Sequence, residues 1–291
     1  MTASLSYSRS GTGPPLVLLH GLGASRQSWD PVVPALAARF DVIAVDLPGF
    51  GDSAGLAAGE EPAPGALARA VAGLLDELGV TAPHLAGNSL GGWIALEFAA
   101  IRPAASLTLL SPAGLWRRTA PWYSRMSLQA SRWLARYGAR PINVLVRYRL
   151  GRTVLLGQTH GHPMRLTPGY ARSVVHAIGT CPGFGATLKA SAQRRYLATT
   201  PFGAPVNLAF GSRDLILLPW QSRHTDQLPA RTLAVTLAGC GHVPMADDPD
   251  AVAGIILDQL ARRDRGDGQT PTSSAVPSGR SVDESGNHEV P

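Results

Sequence analysis

Three features that the chain lacks limit what it can be. It has only two cysteines, Cys181 and Cys240, which are too few for a disulfide framework or a cysteine-based metal cluster. It contains no apolar run of about 18 residues, so no transmembrane helix is expected. Its first ten residues lack the basic and then apolar pattern of a secretory signal peptide. These absences predict a soluble, cytoplasmic protein whose thiols are reduced.

Acidic residues are missing from the middle of the chain. No Asp or Glu occurs between Glu97 and Asp214, and residues 98–213 carry 15 arginines and Lys189. The rest of the chain carries 10 basic and 20 acidic residues, so the formal net charge of +6 conceals an acidic body and one cationic segment. A sequence pI of about 9.9 is typical of nucleic-acid-binding proteins. Because the positive charge is confined to one segment, however, no nucleic-acid partner is expected.

The remainder of the 291-residue chain alternates short apolar segments with segments of helix-forming composition. The predicted strands are residues 16–21, 40–46, 84–88, 107–111, 206–211 and 232–237. The predicted helices are residues 31–38, 64–78, 90–100, 220–228 and 249–263. Parallel strands need crossover connections, and helices of this length supply them. The pattern therefore predicts an α/β fold with a doubly wound, mostly parallel sheet.

Residues 115–203 interrupt this alternation. The segment is helix-forming in composition, rich in arginine and punctuated by prolines. A helical insert between two parts of one sheet has to lie over an edge of that sheet, and we interpret it as a cap. Residues 1–114 and 204–263 then form the α/β core. Residues 264–291 are rich in Gly, Ser, Thr and Pro and are predicted to be a disordered tail.

A Gly-x-Ser-x-Gly pentapeptide, GNSLG at residues 87–91, stands between a predicted strand and a predicted helix. This is the context of a nucleophile elbow, in which a sharp turn raises the serine side chain above the sheet. The flanking glycines are needed because the turn leaves little room for side chains. The following helix N-terminus offers free N–H groups and partial positive charge. Ser89 is therefore the candidate nucleophile.

A serine hydroxyl needs a base to remove its proton, and His242 is the best candidate. It follows the predicted strand 232–237 within GCGH, a glycine-rich loop that can present an imidazole over the sheet. Asp214 ends the preceding strand and can hold the imidazole in one tautomer. The order Ser89, Asp214, His242 is the one expected of an α/β-hydrolase triad.

The other histidines and the acid near His242 receive structural interpretations. Asp248 is expected to cap the last helix. His288 falls in the tail. Surface or packing positions are expected for His84, His160, His162, His176 and His224.

The third requirement of this chemistry is an oxyanion hole. The turn HGLG at 20–23 follows a predicted strand, and its glycines allow the N–H of Leu22 to point at the site. The N–H of Leu90, beside the nucleophile, is the second predicted donor. His20 is interpreted as a structural histidine that braces the turn.

Five motifs together resemble the capped, single-serine branch of the α/β-hydrolase fold. They are HGLG at 20–23, DLPGFGDS at 46–53, GNSLGG at 87–92, GSRD at 211–214 and GCGHVPM at 239–245. The resemblance implies two-step acyl transfer through an acyl-enzyme and a helical cap inserted after the sixth strand. It also implies that Asp46 forms a structural turn. Relatives with dehalogenase or epoxide-hydrolase activity carry a carboxylate at the elbow, where this chain has Ser89, so neither activity is expected.

No metal or organic cofactor is expected. No cluster of histidines and carboxylates in the sequence has ligand spacing, and no GxGxxG opens a βαβ unit.

Residues 122–137 of the cap, WYSRMSLQASRWLARY, predict a basic amphipathic helix. One interpretation is that its apolar face packs on the sheet edge as the lid of the substrate pocket. The predicted pocket residues are Trp93, Trp122, Met126, Trp133 and Val243. The separate arc of Arg125, Arg132 and Arg136 then merely faces solvent. Two alternatives remain open, namely docking on an anionic membrane surface, or steering of an anionic substrate or an acidic carrier protein.

The sequence predicts a serine hydrolase of carboxylic esters with an apolar acyl or alkyl part, and its expected partner is a small-molecule ester. A C–C bond, thioester or lactone hydrolase and a cofactor-free perhydrolase are alternatives on the same triad. The C–C hydrolase pattern expects a tryptophan after the catalytic histidine, where Val243 stands. A non-catalytic ligand-binding protein is a further alternative, and turnover distinguishes it.

Overall fold

A computed structural model describes residues 4–264 and contains one seven-stranded sheet. The strands are β1 (Tyr7–Ser10), β2 (Pro15–Leu19), β3 (Asp41–Val45), β4 (His84–Asn88), β5 (Ser106–Leu110), β6 (Val206–Gly211) and β7 (Leu233–Leu237). Their order in the sheet is β1-β3-β2-β4-β5-β6-β7. All neighbouring pairs are parallel except β1 with β3. The predicted fold class, a doubly wound and mostly parallel α/β sheet, is confirmed.

The first strand is the element that the hydrophobic pattern misses. β1 reads YSRS and all four of its residues are exposed, so it carries no apolar signal. It lies at the edge of the sheet and pairs antiparallel with β3, with Tyr7 opposite Val45. By contrast, β4, β5 and β6 are buried along their whole length, as expected for central strands that are covered on both faces.

Ten α-helices connect or cap these strands within residues 4–264. They are α1 (Val33–Ala37), α2 (Pro64–Glu77), α3 (Leu90–Ile101), α4 (Trp122–Tyr137), α5 (Ala139–Leu145), α6 (Arg149–Leu156), α7 (Pro168–Thr180), α8 (Phe184–Ala192), α9 (Pro219–Ser222) and α10 (Pro249–Asp264). The predicted helix at 220–228 is reduced to the short α9. Every residue of the predicted tail 264–291 beyond Asp264 lies outside the described residues.

The cap is the block α4–α8, between β5 and β6. It therefore follows the fifth strand of this sheet, and the expected insertion after the sixth strand is wrong. Before the cap begins at α4, the described residues form only the five strands β1 to β5.

Apolar side chains form separate cores on the two faces of the sheet. One core joins the sheet to α2 and α3, with Leu67 and Ile94 among its members, and the other joins it to α1 and α10, with Leu36 and Ile256 among its members. The cap has a small core of its own. Its buried members are Ala135, Ile142, Val146, Leu156, Leu166, Ala171 and Val175.

Neither cysteine is paired, and both are buried. Every helix in the described part of the chain falls short of the length and apolarity that a bilayer span requires.

Candidate active site

Ser89 occupies a strained turn between β4 and α3. Its backbone adopts φ 54° and ψ −114°, a conformation that residues other than glycine rarely adopt. The two flanking glycines explain how the turn closes. A Cβ on Gly91 would lie 2.1 Å from the carbonyl oxygen of Leu19, and one on Gly87 would lie 2.3 Å from the carbonyl oxygen of Gly91. The elbow therefore requires glycine at both positions.

Asp214 and His242 come from the ends of neighbouring strands. Asp214 follows β6 and His242 follows β7, and the carboxyl ends of parallel strands meet at one edge of the sheet. His242 Nδ1 lies 2.9 Å from Asp214 Oδ2, and both side chains are buried. The pair can hold the imidazole in a fixed orientation.

The environment of Asp214 keeps its carboxyl group ionised. Burial acts to raise its pKa, but the charge that His242 can carry and the hydrogen bonds from His242 and two backbone N–H groups together lower the pKa below its ordinary value. Those N–H groups belong to Ile216 and Leu217, which donate to Oδ1 at 2.9 and 2.8 Å. An ionised Asp214 can accept a hydrogen bond from His242 Nδ1, an arrangement that favours the imidazole tautomer whose Nε2 is free to accept a proton.

Asn88 is a site residue that the sequence analysis missed. Its Nδ2 donates to the carbonyl oxygen of His242 at 2.9 Å and to that of Leu110 at 3.1 Å. The side chain next to the candidate nucleophile thus fixes the backbone of the histidine loop.

Asp247 is a second missed residue, and it joins the cap to the histidine loop. Its Oδ2 accepts from the N–H groups of Gly161 and Gly241 at 2.7 and 2.8 Å, and its Oδ1 accepts from His162 N–H at 2.9 Å. Its neighbour Asp248 behaves as predicted and accepts from Ala251 N–H at 3.0 Å at the start of α10. The Asp-Asp-Pro sequence indicates the N-terminus of a helix. It gives no indication that Asp247 contacts the helical cap formed by α4–α8.

The predicted oxyanion-hole donors are the N–H groups of Leu22, in the turn after β2, and of Leu90, which follows Ser89 in the chain. Leu22 lines the cavity above Ser89, and Leu90 is the first residue of α3, where N–H groups have no partner within the helix. Among the described groups, neither N–H has an acceptor. His20 braces the turn as expected, because Leu47 N–H donates to its Nε2 at 3.0 Å and its Nδ1 lies 2.8 Å from the Gly21 carbonyl oxygen. Burial lowers the pKa of His20, so the ring is neutral.

Asp46 is placed in a structural role, as the resemblance implied. Its carboxylate is buried, pairs with Arg26, and accepts from the N–H groups of Arg26 and Asp52 at 2.7 and 3.0 Å. It lies away from the Asp214–His242 pair and closes the turn after β3.

Ser89 and His242 line a common cavity of about 100 Å³ between the sheet edge and the cap. α7 supplies one wall of it. Other lining residues come from the turn after β2, the serine turn, α4, the segment before α7 and the histidine loop. Its lining residues beyond the turn after β2 are Asn88, Ser89, Leu128, Thr159, His160, Tyr170, Ser173, Val174, Ala177, Ile178, His242 and Val243.

His160 is the third residue whose position the sequence did not reveal. It is buried in the wall of this cavity, and burial lowers its pKa to about 4. Its Nδ1 lies 2.9 Å from Thr159 Oγ1. The expectation of a packing histidine is correct for its burial but overlooked its place beside the candidate nucleophile.

Of the five predicted pocket residues, only Val243 lines this cavity. Trp93 is a buried residue of α3 itself, where its ring contacts Trp116 and its Nε1 donates to Glu97 at 2.9 Å. Trp122, Met126 and Trp133 are exposed. The predictions for Trp122, Met126 and Trp133 are wrong because α4 turns its aromatic face to solvent and its opposite face to the core. The prediction for Trp93 is wrong because its ring is buried against Trp116 and does not reach the cavity.

The fold and the geometry of the site define one class of protein, the α/β hydrolases. The alpha/beta hydrolase family matches residues 16–255, so the chain belongs to this family. A pimeloyl-[acyl-carrier protein] methyl ester esterase from Aeromonas hydrophila is 46% identical over 113 residues, which cover 38% of this chain and 41% of the esterase. An epoxide hydrolase from Mycobacterium tuberculosis is 31% identical over 62% of this chain and 87% of its own length.

The solved structures give the same fold. A thermophilic esterase from Thermogutta terrifontis superposes with a TM-score of 0.71 and 24% identity, over 89% of this chain and 94% of the esterase. The chain spans less than half the length of the methyl ester esterase that it matches, so this local identity leaves the substrate open.

Proposed function

We propose that the chain hydrolyses carboxylic esters with a small apolar acyl part, using Ser89 as nucleophile, His242 as base and Asp214 as the acid that orients the histidine. The observation that carries this proposal is the buried pair of His242 Nδ1 and Asp214 Oδ2, 2.9 Å apart, beside a strained serine in the same cavity. A serine without a base is a poor nucleophile, and this arrangement supplies the base.

The reaction proceeds in two steps. Ser89 Oγ attacks the ester carbonyl carbon while His242 Nε2 takes the hydroxyl proton, and the N–H groups of Leu22 and Leu90 stabilise the oxyanion. His242 returns that proton to the departing alcohol, which leaves an acyl group on Ser89. Water then attacks the acyl-enzyme with His242 again as base, and the acid departs with Ser89 restored.

The cavity supports a small acyl group. Its volume of about 100 Å³ is well below the roughly 300–1,000 Å³ of drug-sized ligand sites. Its walls are mostly apolar, with Leu128, Val174 and Ile178 among them, which favours an acyl part without charge.

The elbow serine speaks against epoxide hydrolysis here, although one relative carries that name. C–C bond cleavage remains an alternative, because a 2-hydroxy-6-oxo-6-phenylhexa-2,4-dienoate hydrolase from Comamonas testosteroni is 37% identical over 118 residues. Thioester, lactone and perhydrolysis chemistry would use the same three residues.

The test is hydrolysis of p-nitrophenyl esters from acetate to laurate by the wild type, Ser89→Ala and Ser173→Ala. Ser173 lines the same cavity, so it is a matched control serine. We expect turnover that is fastest with the short esters, a loss of more than about a thousandfold in Ser89→Ala and little change in Ser173→Ala.

Two results would contradict the proposal. Equal activity of Ser89→Ala and the wild type would remove Ser89 from the mechanism. A single modification event without repeated turnover, with Ser89 still labelled by a fluorophosphonate, would instead favour the ligand-binding alternative.

A further inference from the structure

The exposed side of α4 carries its aromatic residues. At about 100° per residue, Trp122, Met126, Trp133 and Tyr137 fall within an arc of roughly 60°. Between 56% and 72% of the surface of each of these residues is exposed. Large apolar side chains that lie together on an exposed helix face are unusual in a folded protein. Such a patch indicates a surface that binds a partner.

The opposite side of α4 is the one that packs on the protein. Ser124 and Ala135 are buried there, Ser124 Oγ donates to the carbonyl oxygen of Ile216 at 2.6 Å, and Leu128 lines the cavity above Ser89. This side attaches α4 to the protein, whereas in the aromatic arc the Trp133 and Tyr137 rings contact each other, with centroids 5.7 Å apart, and stay exposed.

Exposed apolar side chains also occur on the helices that follow α4. α5 packs against both α4 and α6. On α6, Leu150 and Val154 are one helical turn apart and are 76% and 82% exposed. We call the surface formed by Trp122, Met126, Trp133, Tyr137, Tyr148, Leu150 and Val154 the cap face.

Positive charge accompanies this surface. Arg125 and Arg136 flank the aromatic arc and are exposed, and neither has a carboxylate partner among the described side chains. Together with Arg132 and Lys189 they border a groove of about 580 Å³ between α4 and α8. Since residues 98–213 contain no acidic residue, the surface is complementary to an anionic partner.

We propose that the cap face docks on an anionic lipid surface, with α4 lying in the plane of the headgroups. A basic amphipathic helix with Trp and Tyr on its apolar side is suited to this interface, and arginines add attraction to anionic headgroups. An acidic soluble protein would engage the arginines but leave Leu150 and Val154 in water. The lipid surface accounts for both features.

Docking would bring the catalytic cavity close to the bilayer. Leu128 lines the cavity from the side of α4 opposite the aromatic arc. One helix diameter, about 10 Å, then separates the lipid surface from the cavity wall. An apolar ester dissolved in the membrane would have a short path to Ser89.

The experiment measures co-sedimentation of the full chain with vesicles of phosphatidylcholine alone or with roughly one third phosphatidylglycerol. We expect binding to the anionic vesicles and little binding to the neutral ones. The double variant Arg125→Gln and Arg136→Gln should weaken binding about 30-fold at low salt, because each arginine near the surface contributes about fivefold. The double variant Trp122→Ser and Trp133→Ser should weaken it by more than about tenfold.

The matched controls are Ile101→Ser and Arg39→Gln. Ile101 is 52% exposed at the end of α3 and Arg39 is exposed just before β3, both at the sheet edge away from the cap. Both should bind vesicles as the wild type does, and unchanged melting temperatures would show that all variants are folded.

Three results would overturn the proposal. One is no binding of the wild type to anionic vesicles at low salt. Another is equal weakening by the control variants. The third is loss of binding in the arginine variant but not in the tryptophan variant, which would identify an electrostatic partner such as an acidic protein. None of these results bears on whether Ser89 hydrolyses soluble esters.

Discussion

The carboxylate of Asp247 allows a test of how the cap positions His242, the proposed base. It receives three backbone hydrogen bonds, from Gly161 and His162 in the cap and from Gly241 beside His242. We predict that Asp247→Asn destabilises the protein and displaces the histidine loop. An asparagine keeps one oxygen, so it can accept only two of the three bonds, and its amide group faces the third N–H.

The magnitude follows from the bonds that are lost or weakened. A hydrogen bond to a charged group contributes about 1.5–3 kcal/mol and a neutral one about 0.5–1.5 kcal/mol. One hydrogen bond to a charged group is lost, and two others become bonds to a neutral group. We expect the free energy of unfolding to fall by about 3 kcal/mol, because Asp247 is half-buried and water replaces part of the lost bonding. For a chain of this size that corresponds to a fall of roughly 6–12 °C in melting temperature.

The assay is thermal unfolding followed by circular dichroism, together with ester hydrolysis. Asp248→Asn is the matched control, because Asp248 only caps α10 and asparagine caps helices as well as aspartate does. We expect kcat to fall more than about tenfold in Asp247→Asn as the imidazole loses its position. If both variants melt at the same temperature, the carboxylate does not join the cap to the histidine loop and this reasoning is refuted.

Two further predictions concern the elbow and the buried histidine. Gly91→Ala should fail to fold or lose most of its stability, because its Cβ would lie 2.1 Å from the carbonyl oxygen of Leu19. The control Gly185→Ala has open space around its Cβ and should leave the stability unchanged or raise it by up to about 1 kcal/mol. Expression level and melting temperature measure both effects. The neutral, buried His160 binds no proton between its unfolded pKa near 6.5 and its folded value of about 4. The unfolded chain binds more protons in that window, so stability should fall by at most about 3 kcal/mol as the pH drops through it. His160→Gln should flatten that part of the pH profile in denaturant titrations, and an unchanged slope would contradict the assignment.

Local features of the sequence were sufficient for the central strands and for the elbow. The predicted bounds of β4 and β6 coincide with the structure. The elbow is equally local, since two glycines and a serine in five residues leave few backbone alternatives. The missed β1 has polar residues throughout, so its strand exists only through pairing with β3.

The sequence of α4 does not predict which side of the helix packs on the protein. Periodicity identifies an apolar arc, and burial of that arc is the usual outcome. The structure instead buries Ser124 and Ala135 and exposes Trp133 and Tyr137, because small side chains allow the helix to approach its neighbours closely. The periodicity of a helix identifies its apolar face. It does not determine whether that face packs on the protein's own core or stays exposed.

The residues that hold the site together illustrate the same limit. Ser89, Asp214 and His242 can be proposed as site residues from the sequence because each stands in a motif with a recognisable strand before it. Asn88 and Asp247 carry no such signal, since their partners lie 154 and 86 residues away in the chain. A hydrogen bond over such a separation depends on how the sheet, the loops and the cap come together. Chemistry that resides in short motifs can therefore be read from the sequence, whereas the contacts that position it arise only from packing.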